Sequence, residues 1–257
     1  MSHPLRNWQN TFKELSQQDM PLLGMFIVSG SSIISECSAT TDLHWVAADM
    51  EASPATKQDL IHIAQSFNGS SVSFLVRVAE NNQQLIESAL DIGAQGIVVP
   101  KVSTKEEALQ VTSACYYPPL GTRGLNPIRC SGYFYDINNY LKNAKNITCM
   151  VQIETVEAVE NLDEIATVKG ISGLFIGCGD LAACYEIPGE FEHPKFQEAI
   201  KKVLNVCKKN HLIPGIFAYS NQLAKEYIKM GFKMIGIGNE IKFLKTSIEG
   251  SIREIKS

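Results

Sequence analysis

Ile147-Thr148-Cys149-Met150-Val151-Gln152-Ile153-Glu154-Thr155 and Ile171-Ser172-Gly173-Leu174-Phe175-Ile176-Gly177-Cys178-Gly179-Asp180-Leu181 are two apolar runs that each stop at a carboxylate. Continuous apolar stretches of this length read as strands covered on both faces, which is the habit of parallel sheets. Working outward, similar runs occur at Leu22–Val28, Trp45–Asp49, Val72–Val78, Gly96–Val102, Ile213–Ala218 and Phe232–Ile237. With Ile147–Ile153 and Gly173–Ile176 they make eight candidate strands. Between them lie stretches with apolar residues three and four apart, at Ala55–Phe67, Asn82–Asp91, Thr104–Ser113, Val156–Ala166, His193–Lys209 and Asn221–Lys229. That spacing is helical. Eight strands alternating with helices predict an α/β protein, one (β/α)8 TIM barrel forming a single domain over residues 1–257. The long irregular insertion from Tyr116 to Asn146, rich in proline and glycine, is read as following strand four and hanging over the active-site rim.

The chain has 257 residues, 45% of them hydrophobic, and a formal net charge of −4, so it carries no basic footprint for nucleic acid. Its seven cysteines are odd in number and lack metal-type CxxC pairs, which predicts a reducing, cytoplasmic setting. Met1 to Asp19 is polar and broken by charges, unlike a signal peptide, and no later stretch is long and apolar enough to span a membrane.

In a parallel barrel all C-terminal strand ends share one rim, and active sites form there. The residues nominated for that rim are Ser29, Asp49, Glu51, Arg77, Lys101, Gln152, Glu154, Gly177 to Asp180, and Tyr219. Glu154 and Asp180 together suit a hard divalent cation, Mg²⁺ or Mn²⁺, with the remaining positions left for water and a chelating substrate, whereas Zn²⁺ more often brings His or Cys. Read singly, each acid also suits the N-terminus of the helix that follows it. A 2-oxo acid is such a chelate. The metal would favour its enolate, and Arg77 would neutralise charge developing on oxygen.

The chain resembles the HpcH/HpaI aldolase family of metal-dependent class II pyruvate aldolases, from about Pro21 to Ile241. The motifs that carry the resemblance are Ala48-Asp49-Met50-Glu51, Leu75-Val76-Arg77-Val78, Asp91-Ile92-Gly93-Ala94-Gln95-Gly96, Val99-Pro100-Lys101-Val102, Tyr117-Pro118-Pro119-Leu120-Gly121-Thr122-Arg123-Gly124, Gln152-Ile153-Glu154-Thr155 and Ile176-Gly177-Cys178-Gly179-Asp180-Leu181. The resemblance implies a (β/α)8 lyase acting on a 2-oxo acid, assembled as a homo-oligomer, a hexamer. It further implies Glu154 and Asp180 as metal ligands, Arg77 as catalytic arginine and Gln152 as the oxo-acid contact. Gly177, Cys178 and Gly179 become the turn that holds the substrate carboxylate. Asp91 matches the acid that partners a catalytic histidine.

That histidine is missing. Where the family continues its acidic motif with Glu-His, this chain reads Glu51-Ala52-Ser53-Pro54, and Ala52 cannot transfer a proton. None of His3, His44, His62, His193 and His211 is placed to replace it. The 126–132 loop departs too, and its Arg129 is read as a spare rim cation for an additional substrate carboxylate. These departures resemble the siderophore-pathway citrate synthases, which are similar in fold and join acetyl-CoA to oxaloacetate. Three readings follow: an aldolase-like lyase or synthase, a citrate synthase of siderophore biosynthesis, and a non-catalytic 2-oxo-acid-binding protein. Intact Arg77 argues against the last.

Overall fold

The computed structural model describes residues 11–257; His3 and the first ten residues of the polar N-terminal stretch lie outside them. In chain order the elements are α1 (Thr11–Ser16), β1 (Leu22–Ile27), α2 (Ser32–Ala39), β2 (Trp45–Asp49), α3 (Lys57–Ser66), β3 (Ser73–Arg77), α4 (Gln83–Ile92), β4 (Gly96–Val99), α5 (Lys105–Cys115), α6 (Ile137–Asn143), β5 (Thr148–Ile153), α7 (Val156–Glu160), α8 (Leu162–Ile165), β6 (Gly173–Ile176), α9 (Cys178–Cys184), α10 (Pro194–Asn210), β7 (Ile213–Phe217), α11 (Asn221–Met230), β8 (Met234–Asn239) and α12 (Glu240–Lys256). The strands pair in parallel in sequence order and β8 returns to β1, so the predicted barrel is closed. Among the described residues no helix is long and apolar enough to cross a membrane.

Side chains alternate across a strand, so every second residue enters the barrel. Leu22, Phe26, Trp45, Ala47, Leu75, Val98, Met150, Phe175 and Met234 form this inner core. The other parity packs against the helices in a separate, larger cluster. Inward glycines make room for the large rings. A Cβ on Gly24 would run into the indole and the carbonyl oxygen of Trp45, and one on Gly215 would meet the Phe175 ring. Phe26 packs edge-on against Trp45 at 5.6 Å and against Phe175 at 5.9 Å, and the Trp45 indole N–H donates to the Leu22 carbonyl at 2.9 Å.

The helices start beside the strand ends because the turns carry their own caps. Thr56 with Asp59, and Thr104 with Glu107, form capping boxes at α3 and α5. At the seam, the buried Glu240 carboxylate accepts the Val28 N–H at 2.9 Å and the Ser29 N–H at 2.6 Å, tying the start of α12 to the end of β1.

The structure corrects the reading of the insertion. Residues 116–146 follow α5, not β4, and lead directly into β5. A helix antiparallel to its strand returns the chain to the opposite face, so the insertion packs below the barrel, away from the rim. Its anchor is Arg123, whose side chain is fully buried; it donates to Asp91 at 2.5 Å and to the Tyr140 hydroxyl at 3.2 Å, with its guanidinium 4.6 Å from the Tyr117 ring centre.

Gly24→Ala tests the inner packing. Its methyl group meets backbone as well as the indole, so it should destabilise the fold by about 1–3 kcal/mol, read as a lower urea midpoint with an unchanged slope.

Candidate active site

The last inward positions of β2 and β3 are Asp49 and Arg77, which are register partners across the ladder. Register alone therefore makes them meet: Arg77 Nε and Nη2 donate to the two Asp49 carboxylate oxygens at 2.9 and 2.6 Å. Asp49 is 1% exposed, and its Oδ1 also accepts the backbone N–H groups of Glu51 at 3.0 Å and Ala52 at 3.2 Å. Arg77 Nη1 reaches Glu51 at 3.2 Å and its guanidinium sits 5.0 Å from the Phe26 ring centre. Desolvation pulls the Arg77 pKa down, but the hydrogen bond and charge of Asp49, with Glu51 and Glu154, outweigh it and hold the pKa above the usual arginine value. Arg77 is thus a fixed cation, its fork oriented from beneath and half-open to the cleft.

Across the mouth, Glu154 extends β5 by one residue and is 1% exposed. Its Oε1 accepts the Lys101 backbone N–H at 2.7 Å, and its Oε2 accepts the Gln152 side-chain amide. Burial pushes the Glu154 carboxyl up to about 7; the two hydrogen bonds oppose this, while Glu51 and Asp180 add to it by repulsion. A buried carboxylate with unbalanced negative neighbours fits a bound cation. Gln152 Oε1 is buried without a partner, a second oxygen available at the same place. Among the described residues no cluster of three or more His, Cys, Asp and Glu donors forms, so a cation held by Glu154 and Asp180 keeps positions for water and a chelating ligand.

Gly177 closes this corner. A Cβ there would strike Glu154 Oε2 and come within 2.7 Å of the Gln152 amide, so glycine is what lets β6 run against the carboxylate. Asp180 lies in the first turn of α9 and is exposed. Cys178 is buried, its thiol donates to the Phe217 carbonyl at 3.2 Å, and burial pushes its pKa up to about 12; it is a packed thiol, not a nucleophile.

These groups border a cleft of about 370 Å³. Asp49, Ala52, Arg77, Gln152, Gly177 to Asp180 and Tyr219 line it, over a floor of Phe26, Phe175 and Phe217. Tyr219 stacks on Phe191 with ring centres 4.8 Å apart. Sequence reading missed Asn239 at the end of β8 and the aromatic floor; the period-two parity of β1, β6 and β7 is the signal that finds the latter. A larger cleft of about 910 Å³ lies at the other end of the barrel, beside α10, and contains none of the nominated residues.

Two nominated residues are not here. Arg129 donates to the Ile92 carbonyl and, at 3.2 Å, to Asn68; both partners follow or end helices at the N-terminal face of the strands, so the expected spare cation is absent from the rim. Asp91 lies one residue before the end of α4 and is bound to Arg123. Within one chain it does not approach Ala52, because α4 carries it down the outside of the barrel. His44 and His62 are equally remote: His44 Nδ1 accepts the Leu23 N–H at 3.1 Å at the base of the barrel, and His62 bonds Gln58 and Gln65 on an exposed helix.

Asp49→Asn removes the charge from the Arg77 pair and should cost about 1.5–3 kcal/mol of stability. Differential scanning calorimetry measures it, and an unchanged melting temperature would contradict this account of Arg77.

Comparison with known proteins identifies the family. The HpcH/HpaI aldolase/citrate lyase family model matches residues 22–246. A 2-keto-3-deoxy-L-rhamnonate aldolase of Salmonella gallinarum is 33% identical over 250 residues, covering 96% of this chain and 94% of its own. The crystal structure of an HpcH/HpaI aldolase/citrate lyase family protein from Burkholderia cenocepacia superposes with a TM-score of 0.92 at 27% identity, over 97% of this chain and all of that one. The citrate synthase SbnG shares the fold, with a TM-score of 0.87 at 21% identity over 96% of this chain and 98% of its own. The family model's span and the aldolase's near-complete coverage lead to one conclusion: the chain belongs to the HpcH/HpaI aldolase/citrate lyase family.

Proposed function

We propose that this enzyme, a class II aldolase-like carbon–carbon lyase, cleaves or forms a bond next to the carbonyl of a 2-oxo acid, pyruvate or oxaloacetate, with a divalent cation held by Glu154 and Asp180. The observation that carries the reading is that Asp49, Arg77, Gln152 and Asp180 line one cleft, with Arg77 held by Asp49 and Glu51 and buried Glu154 bonded to Gln152 and near enough to raise the Arg77 pKa. When bound, the cation, Mg²⁺ or Mn²⁺, polarises the substrate carbonyl and stabilises negative charge on its oxygen. Arg77 is preoriented toward the same oxygen by Asp49, so no reorganisation is needed as charge develops. Gln152 is fixed by Glu154 and orients the oxo acid. The small Gly177–Cys178–Gly179 turn leaves room for the substrate carboxylate. Phe26, Phe175 and Phe217 exclude water from beneath.

Proton transfer is where this chain departs. Ala52 occupies the position of the family histidine, and the neighbouring carboxylates Asp49 and Glu51 are held by arginine. We infer a reaction without a side-chain base at position 52: its enolate is released by decarboxylation or by loss of an aldehyde, or an enolate is consumed by condensation with an oxo acid. Ala52 is also what keeps citrate formation from oxaloacetate and acetyl-CoA, as in siderophore biosynthesis, as the second reading; Arg129, far from the rim, no longer supports it. Seven free cysteines support a cytoplasmic setting.

A homo-oligomer, the hexamer that the family resemblance implies, is part of the same proposal, with Asp91 reaching a neighbouring rim. The apolar row Ile241, Leu244, Ile248, Ile252 and Ile255 along α12 is 45–84% exposed, and Tyr133, Phe134 and Tyr135 of the insertion are 54–65% exposed; contiguous apolar surface of this kind marks interaction sites. Light scattering at micromolar concentration should give a multiple of 28.3 kDa, and a monomer would contradict it.

Two substitutions test the chemistry. Glu154→Gln keeps volume and removes charge, so Mn²⁺ titration should weaken sharply and activity vanish; an unchanged titration would overturn the metal site. Ala52→His should not raise aldehyde-dependent pyruvate turnover. A gain of about 10²–10⁴-fold, the usual contribution of a placed base, would show a lapsed aldolase instead. Assays of oxaloacetate with and without acetyl-CoA, and of pyruvate with several aldehydes, separate the two readings by their products.

A further inference from the structure

Lys101 is the rim residue for which the mechanism has no use. It lies two residues beyond β4 with a φ of 54°, a left-handed backbone that is uncommon for a non-glycine residue. Here the constraint is visible: its N–H is aimed at Glu154 Oε1, 2.7 Å away. The main chain of Lys101 is therefore set by the buried carboxylate of the site, and its side chain leaves from that fixed point over the mouth.

The side chain is 69% exposed, and its ammonium has one charged neighbour, Glu51, at 3.6 Å. Glu51 is shared, since its other oxygen lies 3.2 Å from Arg77 Nη1. Four carboxylates, Asp49, Glu51, Glu154 and Asp180, thus face two cations at the mouth. Arg77 is fixed in place, with three of its nitrogens on two acids. Lys101 is engaged loosely, at a distance where a strongly hydrated ammonium exchanges partners readily. A divalent cation on Glu154 and Asp180 would bring these six groups to neutrality, and an anionic group arriving outside the 2-oxo acid would then meet Lys101 as a cation able to turn to it, while Lys242 is held on the Tyr219 carbonyl.

We propose that Lys101 receives a carboxylate standing beyond the 2-oxo acid group, favouring a compound whose far end carries one over a compound with a neutral end. The inference rests on the 2-oxo-acid reading above and deepens it. It also gives the rim the cation that the sequence had assigned to Arg129, from just beyond β4 rather than from the insertion.

Equilibrium binding tests this without turnover. Isothermal titration of the Mg²⁺-loaded protein compares pyruvate, 2-oxopentanoate and 2-oxoglutarate; the last two are five-carbon 2-oxo acids that differ in their far ends. The native protein should bind 2-oxoglutarate about three- to ten-fold more tightly than 2-oxopentanoate, and the preference should shrink as salt rises, as for any half-exposed charge pair. Lys101→Met should erase the preference, with the pyruvate titration as the measure that the site still forms. Lys101→Arg should retain it. Equal affinities in the native protein, or a preference that survives Lys101→Met, would overturn the role of Lys101. Binding of none of the three acids would overturn the 2-oxo-acid reading, and this inference with it.

Discussion

Closing eight parallel strands on themselves commits every second side chain to one small interior, and most of what is distinctive in this chain answers that demand. Trp45, Phe26 and Phe175 fill the volume, and Gly24, Gly173, Gly215 and Gly236 leave it. The same parity that sends Trp45 and Ala47 inward sends Asp49 inward two residues later, and that of Leu75 delivers Arg77. The catalytic face is the top layer of the core. Its carboxylates are tolerated there because both find partners: Asp49 accepts four hydrogen bonds, and Glu154 two.

Packing and chemistry are coupled through these contacts. Phe26 packs on Trp45 below and carries the Arg77 guanidinium above, so one ring belongs to both the barrel and the site. Gly177 shows the same economy: the approach of β6 to β5 and the room for Glu154 are a single requirement. Ala52 contributes its backbone N–H to Asp49, a bond that any non-proline residue can make, so the acidic turn forms whatever side chain stands at position 52. Structure at that position is independent of side chain, and chemistry is not.

Much of this was legible beforehand. Trp45–Asp49 and Gly173–Ile176 match their strands residue for residue, and the other six differ by a few residues at their ends, because apolar runs covered on both faces announce themselves without context. Asp49, Arg77, Gln152, Glu154 and Asp180 were legible for the same reason: strand ends are countable, and ends share a rim. What failed was what leaves the period. Arg129 and the 116–146 insertion were placed at the wrong end because a loop was assigned to the strand before it, although the intervening helix reverses the chain. Asp91 belongs to a helix end, and nothing in its local sequence says which face of the molecule that end reaches. The stretch Val156–Ala166 read as one helix and is two, broken at Asn161, whose side chain leaves to hold the Ser103 carbonyl. α12 was not foreseen, since its apolar row points outward from the barrel.

The clasp made by Glu240 gives the barrel a property that the hydrogen-bond ladder lacks. The β1–β8 pairing is irregular where it passes from Gly24 to Phe26, so the seam between the first and last strands is the least uniform joint in the ring. Just beyond that joint the carboxylate of Glu240 takes the amides of Val28 and Ser29, while Val28 and Asn239 line the cleft on either side. The orientation of α12 and the shape of one cleft wall are thereby a single mechanical variable. One carboxylate thus serves as rivet both for the start of α12 and for the strand end that carries the cleft-lining Val28.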